Sequence, residues 1–358
     1  MEIKPLTQTQ KELYNALNNE RIKFLLVLGP SGSGKSILTF NYCIEALRSK
    51  KYERLIIFKP IYDIITKQLY SILQLGNLYF KNVEDYLYDL AVASKEDWEE
   101  IKKLINQKII ISDLSSLLGR TFDNSLILIE DAHTLKSQIL VEALMRIGNN
   151  SRIIIIGDPL LQEDNSLRNL KNLLQNEKDS QVIELGLEDI VRATSKIGIK
   201  IWLENKLRER KLSQEENSVI EAIKSEVDVD IVTAIDLRKE KEEVNISSQN
   251  VPDIVIITKE GQAGKIVGKE GKTIEKLQKE LNLSLRVLED FLNEKELIRV
   301  LHPAGKIYKS VDAKIKGSTF YIYSNKETRP IVLGFKGTNI RFFEKALNKI
   351  IPLEVKVI

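Results

Sequence analysis

Eight consecutive residues, Gly29-Pro30-Ser31-Gly32-Ser33-Gly34-Lys35-Ser36, carry the clearest chemistry in the chain. An apolar run, Phe24 to Leu28, precedes them and a helix-like segment, Ile37 to Leu47, follows. Strand, glycine-rich turn and helix form the setting in which a phosphate-binding loop works. The glycines let backbone N–H groups turn inward toward phosphate oxygens, and the helix start adds its positive dipole end. Lys35 is expected to reach the β- and γ-phosphates, and the Ser36 hydroxyl to bind Mg²⁺.

A second, acidic element stands about 90 residues on, in the same alternating α/β pattern. The apolar run Ser125 to Ile129 ends in Glu130-Asp131-Ala132-His133. One carboxylate can hold Mg²⁺ through water, and its neighbour can orient the attacking water. Another apolar run, Arg152 to Ile156, leads into Gly157-Asp158, with Gln162 shortly after. Polar groups at the carboxyl end of a buried strand lie where ligands bind in open parallel sheets, so Asp158 and Gln162 are expected to sense the γ-phosphate. Arg192 could stabilise transition-state charge, in cis or across a subunit boundary; a plain helix-surface arginine fits the residues equally. Gln10 is the candidate for the adenine edge.

These residues need a frame. The short apolar runs at 24–28, 54–58, 108–111, 125–129, 152–156 and 181–185 read as strands between helical segments, an α/β chain with a parallel sheet. Trp98, in Asp97-Trp-Glu-Glu, reads as a packing residue. At 358 residues with 43% apolar content, two or three domains are expected. The single cysteine, Cys43, excludes an internal disulfide framework and fits a reducing compartment. The N-terminus carries no signal pattern and no apolar run is long enough to span a bilayer, so a cytoplasmic protein with no membrane partner is expected.

The net charge of +3 conceals an asymmetry: residues 251–358 hold 20 Lys and Arg against 13 Asp and Glu, and the rest holds 34 against 38. The C-terminal third is therefore the part suited to a polyanion. There, Ala263 to Ile274 contains Ile-Val-Gly268-Lys269-Glu270-Gly271, between a strand at 253–257 and a helix at 273–281. Ile331 to Ile340 repeats the spacing with Gly334-Phe335-Lys336-Gly337. Two helices meeting at a turn without bulk let a nucleic-acid backbone come close. Lys265, Lys269, Lys272 and Lys336 could meet its phosphates, and Phe335 could stack on a base. His302, before Pro303, reads as structural. Residues 201–250 read as a helical connector, with a capping box at Ser213 to Glu216, followed by a loose link ending at Pro252.

The order Leu6-Thr…Gln10, the phosphate loop, Phe58-Lys-Pro60, Tyr86-Leu-Tyr-Asp-Leu90, Gly119-Arg-Thr121, Leu126 to His133, Gly157-Asp158 and Asp189-Ile-Val-Arg192 resembles the PhoH family over residues 4–195. Those are RecA-type ATPases related to the core of superfamily 1 helicases. The family usually reads Asp-Glu-Ala-Gln where this chain has Glu130-Asp131-Ala132-His133, so Glu130 takes the Mg²⁺ role and Asp131 the base role; Gln162 falls four residues after Asp158 where three is usual. The Gly-x-x-Gly segments resemble KH domains, paired as in NusA-type transcription factors, with Ile266, Val267 and Ile274 as an apolar floor for about four nucleotides. The second copy is either an RNA-binding unit or a structural one.

The resemblance implies a RecA-like P-loop parallel sheet flanked by helices in residues 1–200, a connector at 201–250, and two small α+β KH domains at 251–300 and 301–358. It implies ATP and Mg²⁺ as cofactors, single-stranded RNA as partner, and a homo-oligomeric ring as one assembly. The activity expected is an RNA-stimulated, helicase-like ATPase. The alternatives are a slow nucleotide switch on RNA or the ribosome, and a non-catalytic assembly protein.

Overall fold

The structure is a computed structural model that describes residues 4–63, 65–66, 68–113, 120–162, 164–246 and 251–358. Gly119, the first residue of the Gly-Arg-Thr element, and the link at 247–250 lie outside the described residues. The chain divides into two compact units: residues 1–196 with Lys316–Ser318, and 197–315 with 319–358.

In the first unit six strands form one parallel sheet: β1 (Phe24–Leu28), β2 (Arg54–Phe58), β5 (Ile109–Ser112), β6 (Ser125–Ile129), β7 (Arg152–Gly157) and β8 (Ser180–Glu184), in the order β5-β2-β6-β7-β1-β8. A small hairpin of β3 (Ile61–Tyr62) and β4 (Leu69–Tyr70) stands apart. The central strands are uninterrupted apolar runs because both faces are covered. Leu25, Val27, Leu55, Ile57, Leu126, Leu128, Ile154 and Ile156 pack into one core. Their alternate neighbours, Leu26, Leu28, Ile56, Phe58, Ile127, Ile129, Ile153 and Ile155, pack into the other. Because the strands are parallel, their carboxyl ends share one edge, and the loops after β1, β2, β6, β7 and β8 converge there. Trp98 packs edge-on against Tyr88 with ring centroids 5.3 Å apart, beside that first core, as its packing role requires.

Arg152 is buried and bonds the carbonyls of Leu17 and Ala16, at 2.5 and 2.8 Å, at the end of helix Gln8–Asn18. A guanidinium there satisfies carbonyls that a helix end leaves without partners and complements its negative dipole. It fixes the helix that carries Gln10.

The second unit holds two modules of like construction. Helix Gln214–Glu226 starts at the expected capping box, with Glu216 N donating to Ser213 Oγ at 3.1 Å and Ser213 N to Glu216 Oε2 at 2.8 Å. It packs on a sheet ordered β11 (Leu285–Leu288), β10 (Ile254–Thr258), β9 (Ile231–Asp236). β9 is antiparallel and β11 parallel to β10. β9 and the helix Arg238–Glu243 lie inside the stretch expected as connector. Charge around β9 suggested a link, yet its residues 231–235 are all buried against β10 and the flanking helix. The second module repeats the order with β12 (Asp312–Lys316), β13 (Thr319–Tyr323) and β14 (Glu354–Val357), β13 and β14 being parallel, around Phe320, Phe342 and Phe343. Among the described residues, no helix is long and apolar enough to cross a membrane.

Candidate nucleotide site and nucleic-acid interface

The glycine-rich loop leaves β1 and turns into helix Lys35–Arg48. Gly32 adopts φ +81°, and a Cβ there would stand 2.3 Å from Ser195 Oγ, so the position needs glycine on both counts. The loop is held from three sides. Ser31 N donates to Asp158 Oδ2 at 2.7 Å. Val191 N and Arg192 N donate to the Gly32 carbonyl at 3.0 and 3.4 Å. From below, Gln10 Nε2 donates to the Ser33 carbonyl at 2.9 Å while its Oε1 accepts from Leu6 N at 2.7 Å. Lys35 turns its ammonium onto the Pro30 carbonyl, 2.8 Å away, and Ser33 Oγ, 3.4 Å away. Burial pulls the Lys35 pKa down, opposed by Asp158 and Glu130.

Beside the loop opens a cleft of about 430 Å³ whose lining includes Lys35, Ser36, Glu130, Asp131, Asp158 and Arg192. These six come from four separate segments of the sequence, and the sheet edge brings them together. Ser36 Oγ donates to Glu130 Oε2 at 3.1 Å. Glu130 is buried, which raises its carboxyl pKa, with Asp131 adding to the rise. Its Oε1 is buried with no hydrogen-bond partner in the protein. An uncommitted buried carboxylate oxygen beside the loop serine fits a hydrated divalent cation. Among the described residues no group of three or more His, Cys, Asp or Glu could hold a metal alone, so such a cation would take its remaining oxygens from phosphate and water.

Asp131 has left-handed backbone (φ +47°) and pairs with Lys59. Burial favours its neutral form, but Lys59 outweighs this and holds the pKa below the usual carboxylate value. Asp158 Oδ1 also accepts from Leu160 N at 3.0 Å, and burial raises its pKa. His133 lines the cleft, with Nδ1 3.5 Å from Asp158 N, and burial lowers its pKa. Arg192 reaches Ser31 Oγ at 2.8 Å and Ser195 Oγ at 2.7 Å, within one chain. Asp189 is buried, bonded to Thr7 Oγ1 and, at 2.7 Å, to Gly186 N, so the Asp-Ile-Val-Arg element is an anchored strap across the loop.

Two expected residues lie elsewhere. Gln162 is not in the lining; its Oε1 accepts from Leu167 N at 3.1 Å, at the start of helix Ser166–Leu174. Gln10 is buried behind the loop, also outside the lining. Two residues without an expected role stand at the site. Lys59 directly follows β2, next to β6 in the sheet, and Tyr86 projects from helix Asn77–Ser94. Both stand in segments that carry the family resemblance, Phe58-Lys-Pro60 and Tyr86-Leu-Tyr-Asp-Leu90, which signalled the segments without assigning either residue a role.

The Gly-x-x-Gly loops take one backbone form. Gly268 and Gly334 have φ/ψ of 73°/175° and 71°/176°, Glu270 and Lys336 have 54°/26° and 50°/29°. A Cβ on Gly268 would lie 2.1 Å from Thr273 Oγ1, and one on Gly334 2.5 Å from Asn339. Gly271 and Gly337 precede helices Lys272–Leu281 and Thr338–Asn348. Ile266 is buried in the core of the first Gly-x-x-Gly module, whereas Val267 is part-exposed. Lys265 bonds the Asp228 carbonyl at 3.0 Å and Lys272 pairs with Glu270 at 3.4 Å. Phe335 is 82% exposed with Lys336 over its ring, 5.4 Å from the centroid. His302 is fully buried: Ala304 N donates to Nδ1 at 3.1 Å, so Nε2 carries the proton and donates to the Val332 carbonyl at 3.0 Å.

Residues 2–203 match the family model described as PhoH-like protein, and residues 222–317 match a KH domain. A PhoH-like protein of Mycobacterium leprae is 27% identical over 200 residues, covering 53% of this chain and 55% of that protein. One of Bacillus subtilis is 25% identical over 200 residues, covering 53% and 60%. The chain thus spans little more than half the length of these relatives. Among solved structures, the crystal structure of APE1850 aligns over 41% of this chain and all of its own, at 21% identity and a TM-score of 0.30. The large terminase from a thermophilic bacteriophage, in complex with ADP, aligns over 97% and 99%, at 10% identity and a TM-score of 0.33.

Proposed function

This chain belongs to the PhoH-like family and carries a KH domain, and from that premise we propose that it binds and hydrolyses ATP and couples the nucleotide state to RNA. The observation that carries the reading is the meeting of Lys35, Ser36, Glu130, Asp158 and Arg192 on one cleft at the carboxyl edge of the sheet. Backbone amides of residues 31–36 and the ammonium of Lys35 would receive the phosphates; Lys35 has only to leave the Pro30 carbonyl. Ser36 and Glu130 would hold Mg²⁺, which when bound supplies charge neutralisation between the phosphates. Asp131 is the water-orienting carboxylate, Asp158 answers to the γ-phosphate through Ser31, and Arg192, already against the loop, stabilises charge in cis. Gln10 acts by bracing the loop. The proposed domains are the ATPase at 1–200, a first KH module from the helix at 214 to residue 293, and a second at 294–358. RNA, as single strand, would meet both loops.

The second reading, a slow nucleotide switch without strand separation, is favoured by one observation: Lys59 pairs with Asp131 and lowers its basicity as a water-orienting carboxylate. ATP hydrolysis measured with and without single-stranded RNA separates the two, a strong stimulation supporting the first; a mass measurement tests the ring. Lys35→Ala is expected to lower ATP turnover by about a hundredfold or more, the scale of losing one phosphate-stabilising donor, and to leave RNA binding in a gel shift intact. Loss of both would sink the division of labour.

A further inference from the structure

The Mg²⁺ reading names two side chains, Ser36 and Glu130, but a third oxygen shares their pocket. The Tyr86 hydroxyl is buried with no well-formed hydrogen bond in the protein, and so is Glu130 Oε1. Both Ser36 and Glu130 interact with that phenol. A buried hydroxyl whose contacts are poorly aligned recovers only part of the about 1–3 kcal/mol that a formed hydrogen bond spares it, and two such oxygens at one spot point to a shared polar guest. The ring is committed elsewhere: Lys59 Nζ lies 4.2 Å from its centroid and pairs with Asp131. One side chain therefore faces both carboxylates. Its face holds the cation that neutralises Asp131, and its hydroxyl faces Glu130.

Resting on the nucleotide reading above, we propose that Tyr86 is a positioning residue of the cation site, its phenol oxygen joining Glu130 Oε1 and Ser36 Oγ as an outer contact for a hydrated divalent cation. Through its ring it also keeps Lys59 on Asp131 and away from Glu130. Helix Asn77–Ser94, which lies outside the phosphate loop and both acidic strands, thereby becomes part of the cation site.

The test uses the full chain and reads binding rather than turnover. ADP affinity is measured by calorimetry with Mg²⁺ and with EDTA, and Mn²⁺ affinity of the ADP-loaded chain by electron paramagnetic resonance. Tyr86→Phe keeps the ring and the Lys59 contact. It is expected to bind ADP in EDTA like wild type but to weaken Mn²⁺ by about three- to tenfold, the scale of one hydrogen bond. Tyr86→Leu, which also frees Lys59, is expected to weaken Mn²⁺ further; a thermal melt of each variant confirms folding. Unchanged Mn²⁺ affinity in Tyr86→Phe overturns the inference alone, as does an equal loss of ADP affinity with and without metal. Failure of the wild-type chain to bind ADP under either condition overturns the nucleotide reading and this inference together.

Discussion

The two Gly-x-x-Gly modules share a backbone and differ in almost everything that a polyanion would feel. Their first glycines agree within a few degrees, and in each the third residue adopts the left-handed form, Glu270 in one and Lys336 in the other. Yet residues 214–293 hold 11 Lys and Arg against 17 Asp and Glu, whereas residues 294–358 hold 13 against 6. Around the first loop three lysines are answered by nearby acceptors, Lys265 by the Asp228 carbonyl, Lys272 by Glu270 and Lys276 by Glu226 at 2.7 Å. The second loop presents an exposed ring under Lys336. By motif the first loop is the better match; by net charge the second module is the more basic. The lesson is that the glycines set how closely a strand can approach, while surrounding charge sets whether it does.

That contrast can be broken by mutation. Changing Phe335 and Lys336 together to Asp is expected to weaken single-stranded RNA binding by about thirtyfold or more, because it removes a stacking face and a cation and adds two like charges. The matching change of Lys269 and Glu270 to Asp should also weaken binding, but by about threefold. Gel-shift titrations at one salt concentration compare them, and the opposite ranking would return the first loop to primacy. Phe335→Ala alone should cost about fivefold or more in affinity, the scale of one base stacked on an aromatic ring. Its melting temperature should stay unchanged, since the ring is solvent-exposed.

The smallest expected effect is one of stability. Only the second module is pinned by a buried histidine, whose Nε2 holds the Val332 carbonyl two residues before Gly334. Burial lowers the His302 pKa below its usual 6.5, with the facing Arg286 acting in the same direction. The unfolded chain therefore takes up this proton first, and stability present above about pH 6.5 is lost as pH falls through the lowered folded value. The denaturation midpoint should drop between pH 7.5 and 5.5, and His302→Gln, which retains a donor but does not titrate there, should flatten that drop. An identical slope in the variant would show that the pin titrates elsewhere.

Much of the site was legible because it is local. Gly29 to Ser36 announces itself by spacing, and Glu130 and Asp158 by following apolar runs. The capping box at Ser213 and the packing roles of Trp98 and His302 were equally readable. Gln10 and Gln162 misled for one reason: an amide near a phosphate loop in sequence can serve the loop or a helix start as readily as a ligand, and both are spent on backbone groups. β9 hid because a strand buried on both faces loses the alternation that marks strands, and charged neighbours in sequence suggested solvent.

From sequence alone came the phosphate loop, the acidic strand ends, the parallel α/β class, the repeated Gly-x-x-Gly pattern and the basic C-terminal third, all of them readable within a dozen residues or by counting. Only the tertiary structure decided that Lys59 pairs with Asp131, that Tyr86 shares the pocket of Ser36 and Glu130, that Arg192 straps the loop in its own chain, and that the stretch before residue 251 supplies a strand to the KH domain. Each of these joins residues far apart in the chain. Such contacts depend on strand order and on which face a helix presents, and neither quantity is encoded in local spacing.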